Sequence, residues 1–110
     1  MKALKLLSLS SVMLVAPGLA QAQTDPDVGV GQVLVELNCS RCHATGLTGA
    51  SPHSMAPPFR TLGERYPMDA LEEAFASGHI TSAHPDMPDF TATPDQIGAI
   101  IAYIASIQAQ

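Results

Sequence analysis

Apolar residues recur at helical spacing in the first well-patterned stretch of this chain, from Val28 to about Leu37. The residues that carry the spacing are Val30, Val33, Leu34 and Leu37. Intervals of three and four residues place side chains on one face of an α-helix. The pattern therefore predicts an amphipathic helix that leads into the cysteines of the chain.

A second helix is predicted over residues 67–78. Acidic side chains lie in its first turn, where they favour the positive end of the helix dipole, and Gly78 marks its end. The residues predicted to form its inner face are Leu71, Phe75 and Met68. This segment is therefore predicted to be a short helix with one buried side.

The last helix has clear start signals. Thr93 is its predicted N-cap, Pro94 takes the first helical position, and Gln96 completes a capping box. From Pro94 to about Gln108 the chain is apolar on nearly all sides. Because a helix of this length is too short to cross a membrane, it is predicted to be largely buried or partly covered by a partner.

The segments between these helices are rich in residues that favour turns. Residues 44–58 contain three prolines and two glycines, and residues 81–92 contain two prolines. Both segments are predicted to be irregular loops. No strand pattern and no repeat occurs, so the sequence predicts an all-α fold of three to four short helices.

Both cysteines of the chain lie in a C-S-R-C-H motif at residues 39–43. The spacing C-x-x-C-H is typical of c-type haem attachment. The thiols of Cys39 and Cys42 can each form a thioether with a vinyl group of haem, and His43 can bind the iron. A strained disulfide, a thioredoxin-like pair and a zinc site do not explain the histidine. The motif predicts covalent haem, with chance or another redox or metal role as the remaining interpretation.

A haem that carries electrons benefits from a second axial ligand, which keeps the iron coordinatively full. Met87 is the predicted ligand, because Pro85 and Pro88 hold it in a loop between two helices. A thioether opposite an imidazole raises the reduction potential. The alternative is that Met87 is a core residue, as most methionines are. The rival ligands are His84, as second choice, and Met55, His53 and His79.

The N-terminus has the composition of an export signal. Lysines precede an apolar run, and an Ala-Gln-Ala box ends at Ala22. This order predicts a signal peptide over residues 1–22, cleavage after Ala22 and a periplasmic location. Residues 23–110 then form one small domain of 88 residues. So small a domain encloses a limited core, to which a covalent haem would add apolar volume.

Cleavage would leave a strongly acidic protein. Three arginines and no lysine would stand against ten acidic residues, which gives a formal charge of −7. Such a charge disfavours nucleic acid and anionic lipid as partners. It favours redox proteins with basic docking patches, although solubility alone explains the charge equally well.

The motifs and their order make the chain similar to the class I cytochromes c over essentially all of residues 23–110. The haem motif comes early, a proline-bracketed methionine comes late, and an Ala-Tyr-Ile helix closes the chain. The resemblance implies a cytochrome c fold wrapped around one covalently attached haem. It also implies a crossing of the first and last helices, in which a glycine lets the two backbones approach closely. The positions that match this crossing are Gly31, Ile100 and Tyr103, with Val35 where an aromatic residue is usual.

The resemblance also assigns contacts to the haem. The backbone carbonyl of Pro57, or of Pro58, would accept the Nδ1 hydrogen of the haem histidine and so orient its ring. Arg60 and Tyr66 are the candidates for contact with the haem propionates. The ring of lysines that the family uses around the exposed haem edge cannot form, since no lysine follows Lys5.

The resemblance implies a monomeric electron carrier in the periplasm rather than an enzyme. It would exchange single electrons with redox proteins through the exposed haem edge beside Cys39 and Cys42, with no transmembrane helix in the mature chain. An electron-accepting subunit of a dehydrogenase or oxidoreductase complex is the first alternative. A ligand-binding or peroxidatic haem protein is the second, and it requires an open or labile sixth position at the iron.

Overall fold

A computed structural model describes residues 3, 11–18, 27–82 and 84–109 of the chain. This part folds into four α-helices and one 3₁₀ helix, and none of it forms a β-strand. In chain order the elements are α1 (Val28–Cys39), the 3₁₀ helix (Phe59–Glu64), α2 (Met68–Ser77), α3 (His79–Ser82) and α4 (Pro94–Ser106). The predicted all-α class is confirmed.

The predicted signal peptide falls largely outside the described residues. Residue 3 and residues 11–18 are the described parts of segment 1–22, and they form neither helix nor strand. The signal peptide, its cleavage after Ala22 and the domain boundary at residue 23 stay predictions. None of the helices in the described ranges combines the length and the apolar character that crossing a membrane requires.

Helix α1 ends at Cys39, two residues beyond the end that its apolar pattern predicts. Its start is fixed by the Asp27 carboxylate, which accepts hydrogen bonds from the amides of Gly29 and Val30 at 2.9 and 3.2 Å. This N-cap satisfies two of the amides that a helix start leaves without partners. The helix therefore delivers the first cysteine of the motif as its last residue.

Helices α1 and α4 form the most extensive contact between elements of the fold. At Gly31, a Cβ atom would lie 1.9 Å from the carbonyl oxygen of Ala99 and 3.0 Å from Cβ of Tyr103. A residue without a side chain is required for so close an approach. Val35, one turn further along α1, and Ile100 of α4 are fully buried. The predicted crossing of the first and last helices at Gly31 is confirmed.

The buried face of α1 is not the one that its large apolar residues mark. Gly31 and Val35 are buried. Val30, Val33 and Leu37 are 47%, 54% and 78% exposed. The contact with α4 selects the small residue, so the larger ones on the opposite side of the helix face outward. Helix α1 therefore carries a second apolar face that the crossing does not cover.

Helix α4 begins as its sequence predicts. The Thr93 hydroxyl accepts from the amide of Gln96 at 3.2 Å, and the amide of Thr93 donates to the Gln96 side-chain oxygen at 2.9 Å. The helix ends at Ser106, two residues short of the predicted end. It is buried as predicted, through Ile97, Ala99, Ile100, Ile101, Tyr103 and Ile104.

Helix α2 lies where the sequence predicts it and ends at Gly78 in the left-handed conformation, with φ of 75°. The two short helices were not predicted. The 3₁₀ helix follows the proline-rich loop, and α3 takes up the start of the segment that was predicted to be a loop over 81–92. Residues 44–58 and 84–92 are irregular, as expected.

The side chain of Gln108 forms hydrogen bonds with the 3₁₀ helix and with α4, a role that the sequence did not suggest. Its Nε2 donates to the carbonyl oxygens of Phe59 and Ile104, at 2.8 and 2.7 Å. Its Oε1 accepts from the amide of Gly63 at 2.6 Å. One side chain thus joins the 3₁₀ helix to the last turn of α4.

We expect Gln108→Ala to lower the free energy of unfolding by about 1–3 kcal/mol, because it leaves partly buried backbone groups without partners. The matched control is Gln32→Ala, since Gln32 makes a single exposed bond of 3.0 Å to Glu36 within α1. That variant is expected to lose less than about 0.5 kcal/mol. Chemical denaturation of the haem-loaded protein measures both, and equal losses would contradict the proposed role of Gln108.

Candidate haem site

The C-x-x-C-H motif forms a turn at the end of α1. The backbone amides of Cys42 and His43 donate to the carbonyl oxygen of Cys39, at 3.2 and 2.9 Å. Loop 44–58 folds back over this turn, because the amide of His53 donates to the carbonyl oxygen of Cys42 at 3.1 Å. Three functional side chains therefore leave one backbone turn whose shape is set by hydrogen bonds.

Both cysteines are partly buried free thiols. Burial raises the pKa of the Cys39 thiol to about 11, so this thiol keeps its proton at neutral pH. Neither cysteine is joined in a disulfide. The two sulfurs are thus separate groups, as two thioether bonds would need.

The ring of His43 is held on one side by the loop. Its Nδ1 lies 2.8 Å from the carbonyl oxygen of Pro57. Since a carbonyl accepts but cannot donate, Nδ1 carries a hydrogen, and Nε2 is the ring nitrogen left to bind a metal. The ring also packs on Phe59, with centroids 4.7 Å apart. Pro58, the alternative acceptor, instead accepts from the amide and hydroxyl of Thr61.

A cavity of about 750 Å³ opens beside this turn. Its size lies within the range of cofactor pockets, roughly 300–1,000 Å³. Cys39, Cys42, His43 and Met87 all line it. Its inner wall includes four core residues, Phe59, Leu62, Leu71 and Phe75. Two thiols suit covalent attachment of haem, and an imidazole and a thioether can bind its iron, so these residues around one apolar cavity fit that group.

Met87 reaches the cavity from the segment between α3 and α4. Its amide donates to the carbonyl oxygen of His84 at 2.9 Å, which closes a turn. Further along, the ring of Phe90 meets Phe75 edge to face, with centroids 6.2 Å apart. Met87 is partly buried, whereas Met55 is 81% exposed. The rival ligands that also line the cavity are His84, Met55, His53 and His79.

The residues named for the propionates are placed differently from one another. Tyr66 lines the cavity, and Arg60 does not. The Nη1 atom of Arg60 is buried, without a hydrogen-bond partner among the described residues. Arg65, for which the sequence carries no distinguishing signal, also lines the cavity. Both arginines were visible in the sequence, but the unpredicted 3₁₀ helix decides which of them borders the cavity.

The two loops beside the cavity approach each other at its rim. Nε2 of His53 lies 3.6 Å from a carboxylate oxygen of Asp86. Nδ1 of His53 accepts from the amide of Met55 at 3.1 Å. The contact between the loops is longer than a hydrogen bond and exposed, so it contributes at most about 1 kcal/mol. The segment that carries Met87 is therefore joined only weakly to loop 44–58 at this point.

A helical fold with this donor set defines a small protein that holds haem by covalent bonds. The family model of cytochrome c matches residues 29–108, and the chain belongs to that family. Cytochrome c-552 of Bradyrhizobium diazoefficiens is 29% identical over 82 residues, which cover 74% of this chain and 76% of the relative. No solved structure gives a significant match. Membership implies covalently bound haem c and haem-based electron transfer, and it confirms the resemblance to class I cytochromes c.

Proposed function

We propose that this protein is a monomeric periplasmic carrier of single electrons, with one haem attached through Cys39 and Cys42 and ligated by His43 and Met87. The observation that supports this best is the shared cavity, which these four side chains reach from two distant parts of the sequence. Bound haem supplies a one-electron couple between ferrous and ferric iron. The periplasmic location is supported by the signal-like segment 1–22.

The protein residues have separate tasks in this proposal. His43 presents Nε2 to the metal in a fixed orientation, because its Nδ1 hydrogen is committed to Pro57. The neutral thioether of Met87 raises the reduction potential. Apolar walls such as Leu71 and Phe75 limit access of water. This dry environment also disfavours the additional charge of ferric iron.

Arg65 and Tyr66 are the proposed partners of the haem propionates. Both line the cavity, and a guanidinium and a phenol can each donate hydrogen bonds to a carboxylate. Arg60 is the weaker candidate, since it is absent from the cavity lining.

A permanent complex subunit was the first alternative, and the apolar last helix was one reason for it. That helix contacts α1, α2 and the 3₁₀ helix, and its isoleucines are buried within the chain. The apolar surface of α4 is therefore accounted for by its own core, which favours the free carrier.

Met87→Ala is the direct test of the ligand set. We expect the variant to keep its covalent haem, to lose the far-red charge-transfer band of Met-ligated ferric haem, and to have a lower reduction potential. The reduced variant should also bind carbon monoxide, since its sixth position is open. Absorption spectra and potentiometry on purified protein measure these changes.

The matched control is His84→Ala, which removes the second-choice ligand three residues away. It is expected to leave the band and the potential unchanged. A wild-type protein that lacks this band, and whose low-spin ferric spectrum is lost in His84→Ala but kept in Met87→Ala, would assign the sixth position to His84 instead.

A further inference from the structure

An apolar ridge runs along the outer face of α1 towards the cavity. It consists of Val30, Val33 and Leu37, which are spaced by three and four residues and therefore share one face of the helix. Their exposed fractions rise along the helix, from 47% to 54% to 78%. Leu37 also lines the cavity, so the ridge ends at its rim.

Met55 extends this surface from loop 44–58. It is 81% exposed and lines the same cavity. Two of the most exposed large apolar side chains of residues 27–109 thus border the opening, and Leu37 stands two residues before Cys39. Val30 and Val33 lie outside the cavity lining, so they forgo the stabilisation that burial would give them. A group of exposed apolar side chains of this kind marks a site of interaction.

The acidic groups lie mainly elsewhere. Helix α2 carries Asp69, Glu72 and Glu73, all exposed. On α1, the carboxylate of Glu36 accepts a bond of 3.0 Å from Gln32, beside the ridge rather than on it. Arg41 follows the ridge at the rim, and Asp86 and Asp89 line the cavity from the segment that carries Met87. The formal charge of the protein is negative, but the ridge itself consists of uncharged apolar side chains.

We propose that the α1 ridge and Met55 form the docking surface for a redox protein whose own contact surface is apolar and uncharged at its centre. This inference rests on the proposed electron-transfer function, and it adds the chemistry of the partner. The surface ends beside Cys39, where a partner would come closest to the attached edge of the haem. The acidic face of α2 then acts at long range on the approach, while the contact itself depends on apolar packing.

Other occupants fit less well. A second copy of the chain would bring two strongly acidic molecules together over a surface of four apolar side chains. That is less than a stable dimer needs, since specific interfaces bury about 1,200–2,000 Å². A small apolar contact instead suits the brief encounters of electron-transfer proteins, which lie at the low end of interface size.

The test measures electron transfer from the reduced holoprotein to a blue-copper protein with an apolar, uncharged surface over its copper. Stopped-flow rates are taken in 1 M salt, where the Debye length is about 3 Å and steering by charge is suppressed. Val30→Ser combined with Val33→Ser is expected to lower the second-order rate constant about tenfold, and neither residue lines the cavity. The control is Leu47→Ser, because Leu47 is 71% exposed but lies outside both the ridge and the cavity lining. Absorption spectra and reduction potentials must match the wild type in every variant.

An unchanged rate constant in the double variant, or an equal fall in Leu47→Ser, would overturn the proposal. A second arm uses a c-type cytochrome with a ring of lysines as electron acceptor. If the rate with that acceptor at low salt is unchanged in the double variant and falls in Glu72→Gln with Glu73→Gln, docking is ionic and the proposal is wrong. Reduction of the haem by ascorbate reports on the proposed function separately, since it requires no protein partner.

Discussion

Gly31→Ala is expected to destabilise the folded protein by about 3 kcal/mol or more, because the added methyl group would overlap the backbone of α4. The new Cβ would lie 1.9 Å from the Ala99 carbonyl oxygen and 2.5 Å from its carbonyl carbon. Neither atom can move without shifting α4, and α4 also supports the buried residues Ile100 and Ile104. A small domain has only about 5–15 kcal/mol of total stability, so the loss is a large part of it.

The matched control is Gly98→Ala, which changes a glycine of α4 next to Ala99. A Cβ at Gly98 meets nothing within 4 Å, although the residue lies in the interior of α4. Alanine is there expected to stabilise the protein by about 0.5–1 kcal/mol, through its higher helix propensity. Thermal denaturation of the two holoproteins should therefore show opposite shifts. A melting temperature for Gly31→Ala at or above that of the wild type would refute the close packing of α1 on α4.

The second large effect is expected for Cys39→Ala combined with Cys42→Ala. This variant should carry no covalent haem and should not form a stable folded domain. Without haem, apolar walls of the cavity such as Leu71 and Phe75 would face water, and each side chain of this size loses about 1.5–3 kcal/mol when it is left exposed. Together such losses are comparable to the whole stability of a small domain. Intact mass and circular dichroism measure the two effects.

Ser40→Ala is the control for the motif, because it changes a residue between the cysteines and keeps C-x-x-C-H. It is expected to retain haem and cooperative unfolding. A double cysteine variant that unfolds cooperatively near the wild-type temperature would show that the core does not depend on the cofactor.

Much of the fold could be predicted because its signals are local. The capping box at Thr93 and the glycine stop at Gly78 need no knowledge of the rest of the chain. The buried face of α1 could not be predicted in the same way. Its apolar spacing uses Val30 and Val33, whereas the crossing with α4 selects Gly31, whose value lies in the absence of a side chain. The buried face of α1 depends on which helix packs against it, and only the family resemblance predicted that this helix is α4.

The residues of the candidate site also differ in how far local sequence signals could predict them. The C-x-x-C-H motif and the proline-bracketed methionine gave the four residues that the cavity brings together. The 3₁₀ helix gave no comparable signal, so Arg60 was named where Arg65 borders the cavity. Gln108 was missed for a similar reason. The role of one glutamine near the end of a helix becomes visible only when the backbone groups that it bonds, the Gly63 amide and the Phe59 carbonyl, are located.

The two sides of the cavity are held with unequal strength. His43 lies in the turn that follows α1, and its ring bonds to Pro57 and packs on Phe59. Met87 lies in an irregular segment that meets loop 44–58 through an exposed contact of 3.6 Å between His53 and Asp86. Local opening of a protein begins where such contacts are few. With Met87 as the sixth ligand, imidazole or cyanide added to the oxidised protein should therefore replace sulfur and leave the histidine bound. In mild denaturant, Met87 is expected to leave the iron before His43 does, and this loss should appear as a distinct spectroscopic step ahead of global unfolding.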